Sequence, residues 1–225
     1  MVNYLVKSTR RRRLTLASGE IHVWRIWLDT LAPMFEEFMK SLSTDERGRA
    51  YRLRFERDRT RFVLGRGMLR MILSRYTGIP AEELVFAYGA YGKLELSSIS
   101  PGDMLQLNVA HSDALALYAV AREYEVGIDV ERIHATVDAD EIAARFFSER
   151  ENIWWRGLPE QRRGEAFFNL WTRKEACVKA TGDSLAEGAL PQSKCIWEFM
   201  PANGYAAALA TATRRRSPSG FSLGK

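Results

Sequence analysis

Two stretches of this chain end alike, and together they narrow the folds open to it. "RDRTRFVLGRGMLRMILSRYTG" (residues 57–78) and "FFNLWTRKEACVKATG" (residues 167–182) are basic, aromatic-rich amphipathic runs, and each closes on Thr-Gly. In the first, Phe62, Leu64, Met68, Leu69, Ile72 and Leu73 recur at helical spacing, and Gly78 stands where a left-handed C-terminal cap belongs. The second helix is expected to begin near Pro159, because proline suits a first helical turn. "EIHVWRIWLD" alternates apolar and polar residues and reads as a strand. "QLNVAHS", "ALALYAVA" and "EVGIDVERI" read as three more, and "KCIWEFM" and "GYAAALATA" as two strands around a turn at residues 202–204. Shorter helices are expected at residues 33–42, over "DADEIAARFFS", and after the capping-box spacings Ser43 to Glu46 and Ser148 to Glu151. Strand, helices, strands, helices, strands is an α+β order in two halves, not a regular βαβ alternation. The shared Thr-Gly endings suggest a faint internal duplication. We divide the chain into a basic N-terminal tail (1–19), an N-terminal subdomain (20–123), a C-terminal subdomain (124–212) and a C-terminal tail (213–225).

With 225 residues, 46% of them apolar, the chain can bury a sizeable core. It has no apolar run long enough to span a membrane and no signal-peptide core at its N-terminus. Its two cysteines, Cys177 and Cys195, are too few for a secreted disulfide framework, so a cytoplasmic protein is expected. The net charge is +5, yet between Asp45 and Arg75 ten arginines face four acids, a local surplus larger than the total. Such a patch seeks anions: nucleic acid, a phosphorylated cofactor or an acidic protein. "RRRR" (10–13) and "RRR" (214–216) read as solvated tails.

The chemistry-bearing residues lie elsewhere. In "VGIDVERI", Asp129 and Glu131 are two apart, so on a strand they share one face while Ile128 and Val130 turn to the core. Two carboxylates on one face are a solvated edge, or they hold a hard cation such as magnesium. On the second long helix Trp171, Glu175 and Lys179 fall along one side, either as an ordinary i, i+4 ion pair or as part of the same site. His111 and Ser112, at the end of "LNVAHS", could grip a phosphate or sit in a turn. No nucleophile–base pair, Walker A loop or GxGxxG element is present. Acids, lysines, a histidine and an arginine-rich helix suit phosphoryl transfer to an outside nucleophile, catalysed by positioning, metal and charge.

"VGIDVER", followed by "FFSERE" and "WTRKEACVKATG", resembles the larger, monomeric type of 4′-phosphopantetheinyl transferase, the surfactin-synthetase-activating class; the resemblance covers roughly residues 20–210. It implies two similar α/β subdomains arranged as a pseudo-dimer, each with a mainly antiparallel sheet packed on a long helix and the site between them. It implies transfer of the 4′-phosphopantetheine arm of coenzyme A to a serine of an apo acyl or peptidyl carrier protein in polyketide, nonribosomal-peptide or fatty-acid synthesis. By match, Asp129, Glu131 and Glu175 would hold magnesium, and Lys179 would touch the cofactor phosphates and could protonate the leaving group. Lys174 would also lie near the phosphates, and Glu175 or Glu151 would deprotonate the serine, directly or through a water on the metal. His111 and Ser112 match an Asn-x-Ser-His-Ser element in which Ala110 replaces the first serine. Arg61 matches an arginine that grips the adenosine phosphate, with Arg49 and Arg66 as neighbours. Lys93 falls in a Gly-Lys-Pro-like element whose proline is Leu94 here. The basic patch would then serve coenzyme A and an acidic carrier protein. A nucleic-acid-binding module would explain the patch but not the three acids, and a magnesium-dependent phosphohydrolase would share the metal site without a carrier. We expect neither a nucleic-acid nor a membrane partner.

Overall fold

A computed structural model describes residues 13–17, 19–89, 92–97, 105–122, 124–134, 138–181 and 195–211, and the backbone of 221–224. The "RRR" run at 214–216 and Gly182 lie outside the described residues. The first sheet has the order β4-β5-β1-β9, built from β1 (Ile21–Trp27), β4 (Gln106–Ser112), β5 (Leu115–Ala121) and β9 (Phe221–Gly224). Its pairings are antiparallel except β1 with β9, which is parallel. The second sheet, β6-β8-β7, is wholly antiparallel and comprises β6 (Val126–Arg132), β7 (Cys195–Phe199) and β8 (Tyr205–Thr211). A small hairpin pairs β2 (Phe86–Tyr88) with β3 (Leu94–Leu96).

Six α-helices are described: α1 (Phe35–Ser41), α2 (Thr44–Arg52), α3 (Glu56–Thr77), α4 (Ala139–Phe146), α5 (Glu149–Arg156) and α6 (Glu160–Thr181). The two expected capping boxes both form, at Ser43 with Glu46 on α2 and at Ser148 with Glu151 on α5. Gly78 caps α3 in the left-handed conformation, φ 77°, as its position after the helical run requires.

Side-chain alternation sorts these elements into four layers. One face of the first sheet (Ile26, Leu107, Ala116, Tyr118, Val120) packs on α3 through Leu64, Met68, Leu69, Ile72 and Leu73. The other face (Ile21, Val23, Leu115, Leu117, Ala119) meets Ile128, Val130, Ala207 and Leu209 of the second sheet. On the far face of the second sheet, β8 offers only small residues, Ala206, Ala208 and Ala210, to α6. Helix, sheet, sheet, helix is the α+β pseudo-dimer that the sequence implied, with one 22-residue helix on each outer face. The all-apolar run of β5 is explained by burial of both its faces.

Four local expectations are corrected. The helix expected at 33–42 begins at Phe35, because Leu28–Met34, which contains Pro33, is a 3-10 helix. The β2–β3 hairpin was not read, since three-residue strands carry too little alternation to show. Residues 13–17 are not a free tail: Leu14 N–H donates to the Arg75 carbonyl at 2.7 Å, Arg13 Nε to the Tyr76 carbonyl at 2.9 Å, and Leu16 is buried. At the other end, residues 221–224 return to the first sheet as β9. Among the described residues, no helix is long and apolar enough to cross a membrane.

Candidate active site

The site begins with a close approach of backbone to backbone. On β6, Gly127, Asp129 and Glu131 point toward α6, opposite Ala210, Ala208 and Ala206 of β8. A Cβ at Gly127 would collide with the Ala176 carbonyl and the Ala180 amide, so glycine there lets the helix lie against the strand. That approach brings Lys179, one turn past Glu175, to the strand: its Nζ donates to Asp129 Oδ1 at 2.6 Å. Lys179 thus finds its ion-pair partner on β6 and not one turn back along its own helix.

Asp129 is 3% exposed, and its Oδ2 is buried with no hydrogen-bond partner. Burial raises its carboxyl to about 7, against the pull of the Lys179 charge. Glu175 is half-buried; desolvation raises its carboxyl, Lys179 opposes this and Glu131 adds to it. Glu131 accepts a 2.8 Å hydrogen bond from the Ser112 hydroxyl, which in turn accepts the Arg132 N–H.

Next to this cluster lies a cavity of about 920 Å³. Arg49, Arg61, Arg66, Lys93, His111, Ser112 and Lys179 all line it, so the structure gathers seven expected cofactor-binding residues around one space. Arg61 is held between Asp29 at 3.4 Å and Asp113 at 4.0 Å. The Arg66 guanidinium lies over the Phe86 and Phe62 rings, Arg49 lies over Phe62, and both arginines donate to the Tyr88 hydroxyl, at 3.2 and 3.5 Å. Lys93 reaches across to the Ala180 carbonyl at 3.1 Å. His111 stands on the wall, where enclosure and then the Lys179 and Arg61 charges lower its pKa. Strand alternation turns His111 toward α3 and Ser112 toward β6, so neighbours in sequence serve different parts of the site.

Lys174 and Glu151 are not on the cavity wall. They pair with each other at 2.9 Å, Lys174 being 3% exposed and lying over the Phe147 ring. Burial acts to raise the Glu151 carboxyl, but Lys174 and the Ser148 cap outweigh it and hold it low. Three residues at the site escaped the sequence reading. Asn108 Oδ1 accepts the Ile128 N–H at 2.9 Å and pins β4 to β6. Asp113 adopts φ 50° in the β4–β5 turn and bonds Arg132 at 2.8 Å; Ser-Asp between two strand-like runs was the available signal. Tyr88 lies on the unread hairpin.

Among the described residues no three His, Cys, Asp or Glu side chains converge as a ready metal cage. The donor chemistry nevertheless fits a hard cation: three electrostatically coupled carboxylates, one with a buried oxygen left unpaired.

Comparisons with known proteins bear on the family of the chain. Residues 27–123 match a family described as 4′-phosphopantetheinyl transferase, N-terminal, and residues 125–219 match the 4′-phosphopantetheinyl transferase superfamily. The chain is 42% identical over 174 residues to the 4′-phosphopantetheinyl transferase HetI of Nostoc sp. (strain PCC 7120), covering 77% of this chain and 73% of that protein. It is 34% identical over 129 residues to the transferase gsp of Aneurinibacillus migulanus, covering 57% of this chain and 51% of that one. With Sfp of Bacillus subtilis it shares 27% identity over 151 residues, 67% of this chain and 65% of that one. A basic cavity bordering a carboxylate strand, on a chain so similar to HetI along most of both lengths, leads to one assignment: this chain belongs to the 4′-phosphopantetheinyl transferase superfamily.

Proposed function

We propose that this protein transfers the 4′-phosphopantetheine arm of coenzyme A to a serine hydroxyl of an apo acyl or peptidyl carrier protein, releasing 3′,5′-ADP. The observation that carries this reading is the continuity of the cavity: one space is lined by Arg49 of α2, Arg61 and Arg66 of α3, Lys93 and His111, and also by Lys179 beside the Asp129 carboxylate. Neither rival needs that continuity. A nucleic-acid groove gains nothing from buried acids, and a phosphohydrolase needs no second half.

Arg49, Arg61, Arg66 and Lys93 bind the anionic nucleotide, with the diphosphate directed toward Lys179. Asp129, Glu131 and Glu175 would hold Mg²⁺, which supplies charge neutralisation on the diphosphate. The serine oxygen forms a bond to the β-phosphorus while the bond from that phosphorus to the bridging oxygen breaks, and 3′,5′-ADP leaves with the electron pair. Glu175 takes the serine proton. Glu151 is paired with buried Lys174 at 2.9 Å, off the cavity wall, and serves to place that lysine. Lys179 meets the charge developing on the leaving phosphate and can donate a proton to it. His111, neutral because its pKa is lowered, offers a hydrogen bond without adding charge. The cationic surface suits an acidic carrier, and we assign the protein to the cytoplasm as a monomer with coenzyme A and carriers as its partners.

The test is incubation with coenzyme A, Mg²⁺ and a panel of apo carrier proteins. The expected result is a mass gain of one phosphopantetheine on a carrier, absent when its serine is replaced by alanine. No gain on any carrier would overturn the reading.

A further inference from the structure

Lys179 has two demands on it. It lines the cavity where phosphates are to bind, yet its ammonium is spent on Asp129 at 2.6 Å. The neighbouring cations are already paired: Lys174 with Glu151 at 2.9 Å, Arg132 with Asp113 at 2.8 Å, and Arg173 with Glu198 at 3.2 Å. Among the described residues, Lys179 is the cation that meets the Asp129 carboxylate, whose second oxygen is buried and unpaired. The ammonium stands where part of a divalent ion's charge would act, and the acids around it are not drawn together into a cage. Two positive groups cannot share that carboxylate cheaply, because like charges a few ångströms apart repel strongly where water is excluded. The lysine stem is flexible and its side chain 31% exposed, so the ammonium has an open route into the cavity.

We propose that Lys179 is an exchangeable counter-ion. In the cation-free protein it neutralises Asp129; uptake of a divalent cation by Asp129, Glu131 and Glu175 releases it toward the phosphates of coenzyme A. This rests on the magnesium reading given above. The exchange arms the lysine only when the cation is in place, and until then the ammonium offsets the charge of the buried acid. Because displacing the ammonium opposes cation binding, removing it strengthens cation binding.

The experiment is a Mn²⁺ titration of the whole protein at pH 8 without coenzyme A, following free Mn²⁺ by electron paramagnetic resonance. Wild type, Lys179→Met and Lys179→Arg are compared, with circular dichroism to confirm the fold. Lys179→Met is expected to bind Mn²⁺ at least about tenfold more tightly than wild type, and Lys179→Arg, which keeps the charge, to stay within about threefold. Should Lys179→Met not fold, Lys179→Gln carries the same expectation. Mn²⁺ bound by wild type and the neutral variant with equal affinity, or more weakly by the variant, overturns the exchange and leaves the magnesium reading standing. No Mn²⁺ bound by either overturns both.

Discussion

Burial of Asp129 sets a conflict between stability and chemistry at a single residue. Its carboxyl, raised to about 7, holds a proton more tightly in the folded chain than in the unfolded one. The protonated form therefore adds stability that is fully present below the usual carboxylate value near 4 and is lost as pH rises through about 7. In cation-free protein, Asp129→Asn is expected to flatten that part of the stability–pH curve. It should also raise the melting temperature at pH 8 by about 2–4 °C for each kcal/mol relieved. The same change should lower transfer at least about 100-fold, since even outer partners of a metal ligand are worth about 10 to 100-fold. Melting curves across pH beside single-turnover rates decide it. A variant that melts lower than wild type at pH 8, or transfers normally, would show that Asp129 is an ordinary buried ion-pair partner.

At the scale of elements, the site is a strand and a helix held unusually close. Gly127 on β6 and the alanines of β8 and α6 form the seam, so the reach of Lys179 to Asp129 depends on atoms that are missing. Gly127→Ala would push a methyl into the helix backbone, which has no rotamer to move. The expected cost is about 1–3 kcal/mol of stability, with transfer falling further because α6 carries both Glu175 and Lys179. Gly164→Ala is the control on the same helix: a Cβ there meets nothing within 4 Å. It should stabilise by about 0.5–1 kcal/mol and leave rates unchanged. Equal melting temperatures for the two variants would remove the seam from the account.

For the whole molecule, polar links among the described residues join the two halves, and several of them lie at the site. Asn108 binds the Ile128 amide, Ser112 binds Glu131, Lys93 reaches Ala180, and Arg25 donates to the Pro201 carbonyl at 2.6 Å. Removing one partner leaves a buried amide unsatisfied, so Asn108→Ala is expected to cost about 1–3 kcal/mol. Because the cavity has walls from both halves, the Michaelis constant for coenzyme A should rise as well. A lower melting temperature with an unchanged Michaelis constant would mean that Asn108 only stabilises the fold.

Residue pattern alone determined much of this protein. The helical spacing of Phe62 to Leu73, the Ser43 and Ser148 capping boxes, and the same-face placement of Asp129 and Glu131 are local properties of the chain, and each formed as read. Short-range geometry suffices for these, since backbone periodicity decides which way a side chain points. Pairing across the fold was another matter. That Lys179 would meet Asp129 and not Glu175, that Lys174 would be spent on Glu151, and that residues 13–17 and 221–224 would join the first half all depend on contacts between distant residues. Those contacts follow from how closely two packed layers approach, and that distance is set by small side chains on opposing surfaces. Only the folded chain brings those surfaces together.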